Sequence, residues 1–442
     1  MKGRGGGRKR KRKANPELPD GESNSVIKFL PNEIFLDILY RLPIGSISEC
    51  KQVCKKWCEK IRNPCFSKLV FKTPDDNKVS FLFLTLDDDS QLYHGSYSEN
   101  REPCMEFTFT DHPPVTQNYS TSAMVGSCNG LVCISIPFTY NVFDPIYICN
   151  PYLGERVYLP RFTVKVKNKN NVEVKKTTYL DGNIVSGFGY TSVTDKHKVV
   201  RIYYAAGQSK GQVYTLGSRR GWRNIGEVSH SLLRHFDCPI VTLNHILDDS
   251  HDEFWKICSP CRGILASDAL HWFNQEWEIV AFDLVKEEFS LLPPQPCPGA
   301  TMENFLTLQV LEGRLCVASS HGGVRLDIFS FKKETSEWEN MFSIACLSDQ
   351  FMDIYWPISL TLSGKLLLRS NYQNLFCYDP QTGELKKQMD LDKGTYRGPS
   401  YHEYPKIEAI PHMNSFVSLK ALGEKSHTIS RDCSMLNLLI YF

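Results

Sequence analysis

Ser363-Gly364-Lys365-Leu366 opens an apolar run that leads, one strand later, into Tyr378-Asp379-Pro380-Gln381-Thr382-Gly383-Glu384. The same order of parts recurs upstream: a small or polar residue, a glycine, a β-prone run, then a second turn. It stands at Asn129-Gly130-Leu131-Val132, Arg262-Gly263-Ile264-Leu265 and Glu312-Gly313-Arg314-Leu315. The second turns are Phe143-Asp144-Pro145, Phe282-Asp283-Leu284 with Glu287 and Glu288, and Phe331 with residues 334–338. The last three glycines are 50 and 51 residues apart, and 133 residues separate the first two, which leaves room for two more units. Short runs of Val, Ile, Leu and Phe punctuated in this way by Gly and Asp-Pro read as strands joined by tight turns.

Alternation supports that reading. Phe107 and Phe109 alternate with Thr108 and Thr110, Val164 and Val166 with Lys165 and Lys167, and Val172 and Val174 with Glu173 and Lys175. A period of two places each set on one side of a strand. The last two runs flank residues 168–171 and predict an exposed polar hairpin. Residues 71–442 hold no long stretch of helical period, which excludes a doubly wound α/β domain. A period near 50 in an all-β chain is kelch-like and implies four-stranded blades arranged radially, a β-propeller. The same strand spacing is open to one or two β-sandwiches.

Residues 29–70 differ. Pro31 suits a helix start, and Ile34, Phe35, Ile38, Leu39 and Leu42 recur as one apolar stripe that Pro43 ends. Ser46 then stands three residues before Glu49, a capping-box spacing. Behind it Cys50, Val53, Cys54, Trp57, Cys58 and Ile61 follow at helical spacing, with Lys51, Lys55, Lys56, Glu59 and Lys60 on the other face. Roughly 40 residues cannot support so much apolar surface alone, so it must be hidden against the rest of the chain or a partner. Cys50, Cys54 and Cys58 share a helical face and read as small packing residues, since a metal needs a fourth ligand that the sequence does not place.

The chain has 442 residues, enough for two or three domains unless one large β domain absorbs most of it. Residues 1–25 are rich in Gly, Lys, Arg, Pro and Ser and read as a disordered basic tail. Within it Arg8, Lys9, Arg10, Lys11, Arg12 and Lys13 have the form of a nuclear-localisation signal; the same run also suits a solvated tail that touches nucleic acid nonspecifically. Residues 1–13 carry eight basic side chains and no acid, so the overall +2 leaves the remainder near −6. That balance argues against a broad nucleic-acid surface on the folded part. No apolar run approaches the roughly 20 residues that span a bilayer, and no apolar segment follows the basic start, so neither membrane insertion nor secretion is expected. Sixteen cysteines without a signal peptide read as reduced thiols. A nuclear location, with cytoplasm as the other compartment, follows.

At Leu30-Pro31-Asn32-Glu33-Ile34 through Leu42-Pro43, then Val53-Cys54-Lys55-Lys56-Trp57 and Pro64-Cys65-Phe66, residues 27–70 resemble the F-box. Downstream, residues 127–133, Asn150-Pro151, Gly187-Phe188-Gly189-Tyr190 and Phe282-Asp283 with Glu288-Phe289 are similar to the F-box-associated interaction domain common in plant F-box proteins. The resemblance implies a multidomain α+β chain: a basic tail (1–25), a small helical F-box (26–70) and an all-β, kelch-like domain (71–442). It further implies the substrate receptor of an SCF-type ubiquitin ligase, bound to a Skp1-like adaptor and through it to a cullin, with a protein target held by the β domain. By motif position Leu30, Pro31, Ile34, Leu42, Pro43, Val53 and Trp57 would form or support the adaptor interface. That role works by proximity and requires no catalytic residue, cofactor or metal in this chain.

Gly126-Ser127-Cys128-Asn129-Gly130 fits a cysteine form of the nucleophile elbow, and His321-Gly322-Gly323 has the form of an oxyanion loop, but Leu131 onward continues as a β run where an elbow needs a helix. Cys258-Ser259-Pro260-Cys261, with His251 and His271 nearby, is a lone CxxC without the second pair that makes such spacing specific. A nuclear scaffold or RNA-associated protein without a ligase role is the alternative function. Trp222, Arg219, Arg220 and Trp272 are candidate ligand-face residues, each also open to a place in the core or a turn.

Overall fold

The computed structural model describes residues 31–40, 42, 46–47, 50, 53–61, 78–85, 92–98, 104–110, 123–135, 144–162, 164–167, 173–176, 183–205, 208–232, 262–297, 299, 304–321, 324–345, 354–370, 374–390, 407–425 and 427–428. The chain divides into two compact units, residues 1–42 and 43–442.

In the first unit α1 (Asn32–Tyr40) follows Pro31, whose carbonyl accepts the Phe35 N–H at 3.0 Å. The fixed proline φ suits a helix start, and Glu33 in the first turn complements the helix dipole. Phe35 and Leu39, one turn apart, are both buried. Leu42 then closes the end by donating its N–H to the Leu39 carbonyl at 3.1 Å.

The second unit begins with helical residues at Ser46, Ile47 and Cys50 and a turn at Val53, then restarts as α2 (Lys55–Ile61). The expected unbroken helical face through Cys50, Cys54 and Cys58 is not formed. The Val53 N–H bonds the Cys50 carbonyl only three residues back, at 3.3 Å, a tightened turn that takes Cys54 out of the helix. The expected cap partner Glu49 lies outside the described residues.

The rest is β. β1 (Lys78–Thr85), β2 (Leu92–Ser98) and β3 (Cys104–Thr110) make an antiparallel meander. β4 (Ala123–Cys128), β5 (Leu131–Ser135), β6 (Pro145–Asn150) and β7 (Glu155–Tyr158) make the second sheet. β8 (Val164–Lys167) and β9 (Glu173–Lys176) pair with each other, as the alternation predicted. β10 (Asn183–Thr191), β11 (Lys196–Ala205), β12 (Gln208–Thr215) and β13 (Trp222–Gly226) are joined through a short parallel pairing of β10 with β14 to β14 (Arg262–Ala266), β15 (Ala269–Phe273), β16 (Ile279–Asp283) and β17 (Phe289–Leu291) in one eight-stranded sheet, whose two four-strand halves are counted below as the third and fourth sheets. β18 (Phe305–Leu311), β19 (Arg314–His321), β20 (Arg325–Lys332) and β21 (Glu337–Ala345) form the fifth, and β22 (Tyr355–Leu360), β23 (Leu366–Ser370), β24 (Asn374–Asp379) and β25 (Glu384–Asp390) the sixth. β26 (Ile407–Pro411) returns to pair with β1 and gives the first sheet four strands, and β27 (His427–Thr428) adds to β7.

Packing links these sheets face to face. β5 is buried at every position: Leu131 and Cys133 join Phe188, Val199 and Tyr214 of the third sheet, while Val132 and Ile134 join Leu82, Leu84 and Leu92 of the first. Val200, Ile202 and Val213 meet Leu270, Val280 and Phe282; Phe273 and Ile279 meet Leu308 and Val317. Cys316, Leu326 and Ile328 meet Leu366 and Leu368, and Leu367 and Leu375 meet Phe81 and Phe83, so the sixth sheet packs on the first. Strands covered on both faces lose the polar alternation of a half-exposed sheet and read as continuous apolar runs.

The repeat is thus real in its sheets but differs from the sequence reading in two details. Among the described residues the interval between Gly130 and Gly263 contains, besides the rest of the second sheet and the β8–β9 hairpin, one four-strand set, β10 to β13. Gly263 lies inside β14 instead of at a turn. There β14 pairs in parallel with β10 at Gly187, and a Cβ on Gly263 would sit 2.5 Å from the Trp272 ring. The turn equivalent to Asn129-Gly130 and Glu312-Gly313 is Ser267-Asp268, where φ is positive at both residues without any glycine.

Candidate functional site

On α1 the spacing that buries Phe35 and Leu39 leaves the adjacent pair outward. Ile34 and Ile38, four residues apart, are 50% and 45% exposed. Branched aliphatic side chains so exposed on a short helix lose transfer free energy of about 1 kcal/mol or more each, which contact with a partner would recover. Of the residues expected at an adaptor interface, Pro31 and Ile34 are exposed on α1 and Leu42 is half-buried behind it. Val53 is 63% exposed in the turn before α2, and Trp57 is half-buried within α2. Leu30 and Pro43 lie outside the described residues, as do Arg8, Lys9, Arg10, Lys11, Arg12 and Lys13. Ile38 was legible in the apolar stripe but was not singled out as a contact; its i, i+4 relation to Ile34 is the signal that could have done so.

The two ends of the sheets are unlike. In the second to sixth sheets the turns after the first and third strands share one end. There the joins are short: 129–130 and 151–154, 192–195 and 216–221, 267–268 and 284–288, 312–313 and 333–336, 361–365 and 380–383. These turns bind one another. The Ser192 N–H donates to Asp268 Oδ1 at 2.8 Å, Lys333 Nζ to the Ser267 carbonyl at 3.4 Å, and Ser415 Oγ to the Asn129 carbonyl at 2.8 Å. Lys198 Nζ reaches Glu287 Oε1 at 2.8 Å, and Arg223 reaches the other oxygen of the same carboxylate. Burial alone would raise the Glu287 carboxyl, but Arg223 and Lys198 outweigh it and hold the group below the usual range.

The opposite strand ends are joined by residues 111–122, 159–182, 227–261, 292–304, 346–354 and 391–406. Residues 412–426, between β26 and β27, instead lie among the short turns through Ser415, but the other long connections named fall at that end, and the β8–β9 hairpin belongs to one of them. Beneath it Arg201, almost fully buried, donates to Asp144 Oδ1 at 2.7 Å, to Gln212 Oε1 at 2.9 Å and to the Pro160 carbonyl at 3.2 Å. Its guanidinium lies 3.8 Å from the Trp222 ring centroid.

Trp222 therefore braces the second and third sheets, with its indole N–H on the Pro160 carbonyl at 2.7 Å, and Trp272 is buried in the core. Neither is a free ligand-face anchor, whereas Arg219 and Arg220 are exposed at a short turn.

The elbow-like segment forms a β-hairpin turn between β4 and β5. Burial pushes the Cys128 thiol far above its ordinary value, so thiolate is scarce and its nucleophilicity is suppressed. Ser127 Oγ lies 2.8 Å from His412 Nδ1, but burial first, and then nearby His94, lower that imidazole to about 3, which leaves it a very weak base. His271 is likewise lowered by burial to about 4. Cys258, Cys261 and His251 lie outside the described residues. Among the described residues no three His, Cys, Asp or Glu side chains are gathered as a metal site. No helix among them is long and apolar enough to cross a membrane.

Comparison with known proteins gives two family matches. Residues 80–390 match the family described as F-box associated beta propeller domain, and residues 27–72 match the F-box-like family. An F-box protein of Arabidopsis thaliana is 25% identical over 427 residues, covering 85% of this chain and 91% of that one. An F-box/kelch-repeat protein of the same plant is 24% identical over 336 residues, covering 72% and 80%, and its F-box protein CPR1 is 23% identical over 341 residues, covering 71% and 73%. Among solved structures, a Pseudomonas aeruginosa periplasmic gluconolactonase matches at 9% identity and a TM-score of 0.33, covering 70% of this chain and 82% of that one. A mutant Aleuria aurantia lectin matches at 8% identity and a TM-score of 0.33, covering 73% and 99%.

Proposed function

The chain belongs to the F-box proteins that carry an F-box associated beta propeller domain, and from that premise we propose that it is the substrate receptor of an SCF-type ubiquitin ligase. In this reading α1 and the segment around Val53 and Trp57 dock on a Skp1-like adaptor, which joins the chain to a cullin. The β domain holds a protein target. The observation that carries it is the outward Ile34 and Ile38 pair on a helix of the F-box-like segment. An apolar pair on a rigid helix suits the interior of a partner interface, where desolvated aliphatic and aromatic anchors supply most of the binding energy.

The β domain is read as a six-bladed propeller. Its support is the cyclic succession of packed faces, first sheet through sixth and back to the first, together with the contacts among β26, β4, β10, β14, β18 and β22. The C-terminal β26 supplies the innermost strand of the blade that the N-terminal β1 to β3 begin. Such closure resists opening and keeps the target-holding end rigid, so a bound lysine is presented at high local concentration to a ubiquitin-conjugating enzyme borne elsewhere in the complex. The basic run at Arg8 to Lys13 is assigned to nuclear import.

The test is retention of the purified chain on immobilised cullin with and without a Skp1-like adaptor. The reading requires adaptor-dependent retention that Ile34→Asp with Ile38→Asp abolishes. Retention without adaptor, or a double variant retained like the parent, overturns it.

A further inference from the structure

In the fifth sheet β19 ends and β20 begins in a polar cluster, at the end of the sheets that bears the long connections. Val317 of β19 stands opposite Phe329 of β20, and both pack with Phe273 and Ile279 of the fourth sheet. Along the same face the period of two brings Ser319 opposite Asp327, and then His321 opposite Arg325. The face thus passes from apolar core to a polar lip, where the side chains of Arg325 and His321 are 56% and 36% exposed.

Hydrogen bonds fix both side chains. Arg325 Nε lies 2.7 Å from Asp327 Oδ2, and the other oxygen of that carboxylate accepts the Ser343 hydroxyl at 2.7 Å. An arginine held through Nε keeps its outer Nη edge for a second acceptor, and the planar fork there matches a carboxylate. The Ser319 hydroxyl has one proton, which goes to Asn304 Oδ1 at 2.5 Å, so at its 3.1 Å contact with His321 Nε2 the imidazole is the donor. Neutral His321 therefore carries its proton on Nε2, and Nδ1 is the atom that takes up the next one. Among the described residues Arg325 meets only Asp327, and His321 meets only Ser319 and, at 3.9 Å, Asp327.

Protonation at Nδ1 places two cations directly opposite each other on paired strands, an arrangement that costs stability unless an anion lies beside them. Asp327 balances one of the two. Cys297, next to Ser319 and Asp327, adds no charge, because burial first and then Asp327 push its thiol up to about 11. The second positive charge is thus open to an anion from outside the sheet, and proton uptake and anion uptake favour each other.

We propose that Arg325 and His321 form a carboxylate-binding point that receives an Asp or Glu side chain of the protein target. Asp327 is the positioning residue. An anchor already held in place loses less conformational freedom on binding, and arginine is among the side chains that dominate interface energetics. Val324, 55% exposed in the join between the strands, offers an apolar contact beside the charge. A C-terminal carboxylate is captured by backbone N–H groups, and the Val324 N–H is spent on the His321 carbonyl at 2.9 Å, so a side chain is the better fit.

This inference rests on the receptor reading for the protein that bears the carboxylate, and the two are tested apart. Arginine side-chain N–H resonances are recorded for the full chain containing isotope-labelled arginine, with the Arg325 signal assigned by Arg325→Lys. The probes are an acetylated and amidated Val-Glu-Val peptide, its Val-Gln-Val counterpart, and acetylated Val-Val-Val with a free C-terminus. The Glu peptide should move the Arg325 signal, bind at least about twofold more tightly at about pH 5.5 than at about pH 7.5, and lose that pH dependence in His321→Gln. In Arg325→Lys, followed by the His321 imidazole signals, it should bind at least about threefold more weakly, since lysine keeps the charge but not the fork. The Gln peptide should leave the Arg325 signal in place. No movement with the Glu peptide, equal movement with the Gln peptide or the free C-terminus, or a pH dependence that persists in His321→Gln each overturns the carboxylate point. Adaptor retention on the same preparations reads the receptor proposal alone: its absence in the parent chain overturns that reading and leaves the result at Arg325 untouched.

Discussion

At the scale of single residues, stability is concentrated where polar groups are sealed between sheets. Asp144 and Arg201 are both buried, and Asp144 also accepts the Phe162 N–H at 3.1 Å, so removing the carboxylate strands a guanidinium among Trp222, Phe162 and Gln212. Asp144→Ala should cost about 3–5 kcal/mol in denaturant unfolding; a cost under about 1 kcal/mol would show that the pair does not lock the second sheet to the third. Histidines set the acid limit. Burial lowers His94, His197 and His271 to about 4 and His412 to about 3, against an unfolded value near 6.5. Between those values the unfolded chain binds protons that the folded chain refuses, so stability is full above about pH 6.5 and falls as pH drops toward 4. Each histidine contributes about 1.4 kcal/mol per pH unit within that window. The denaturation midpoint should therefore fall steeply from pH 7 to 5, and a flat profile would contradict the burial of these rings. None of this was legible in sequence, because an isolated His or Asp does not announce which side chains converge on it.

At the scale of elements, the local periods were readable and the joints were not. α1 was foreseen from Pro31 and the apolar stripe, yet the stripe mixes two faces: Phe35 and Leu39 are buried, whereas Ile34 and Ile38 are exposed. Phe35→Ala should therefore destabilise by about 3–5 kcal/mol. Ile34→Asp with Ile38→Asp should leave the thermal midpoint nearly unchanged while adaptor binding is lost. A large stability loss in the double variant would mean that these side chains pack internally. The hairpin at β8 and β9 followed from strict alternation. The α2 boundary did not, because the tightened turn at Val53 leaves no mark on the i, i+4 pattern of cysteines. The turn at Ser267-Asp268 was missed for a related reason. Its left-handed backbone is carried by residues other than glycine, so the X-Gly pattern falls instead on Gly263, a glycine kept for the approach of Trp272.

At the scale of the whole molecule, a four-strand repeat was legible from the glycine spacing, but not how many sheets there are or how the first is completed. Completion of the first sheet depends on pairing between Phe81–Thr85 and residues 407–411, which local sequence does not encode. Glu408 fixes the returning strand further by accepting the Met124 N–H at 2.7 Å and pairing with Arg262, though burial still keeps its carboxyl above the usual range. A chain ending at residue 406 should lose cooperative unfolding, read by circular dichroism and calorimetry; an unchanged transition would refute the proposed closure by β26. The proposed role of this fold as an adaptor-bound receptor is tested by coexpression with a Skp1-like adaptor followed by size-exclusion chromatography with light scattering. The expected result is a complex of one chain with one adaptor that Ile34→Asp with Ile38→Asp dissolves into separate, folded components. A folded chain that elutes alone in the presence of adaptor, or a double variant that holds adaptor as tightly as the parent, would contradict it.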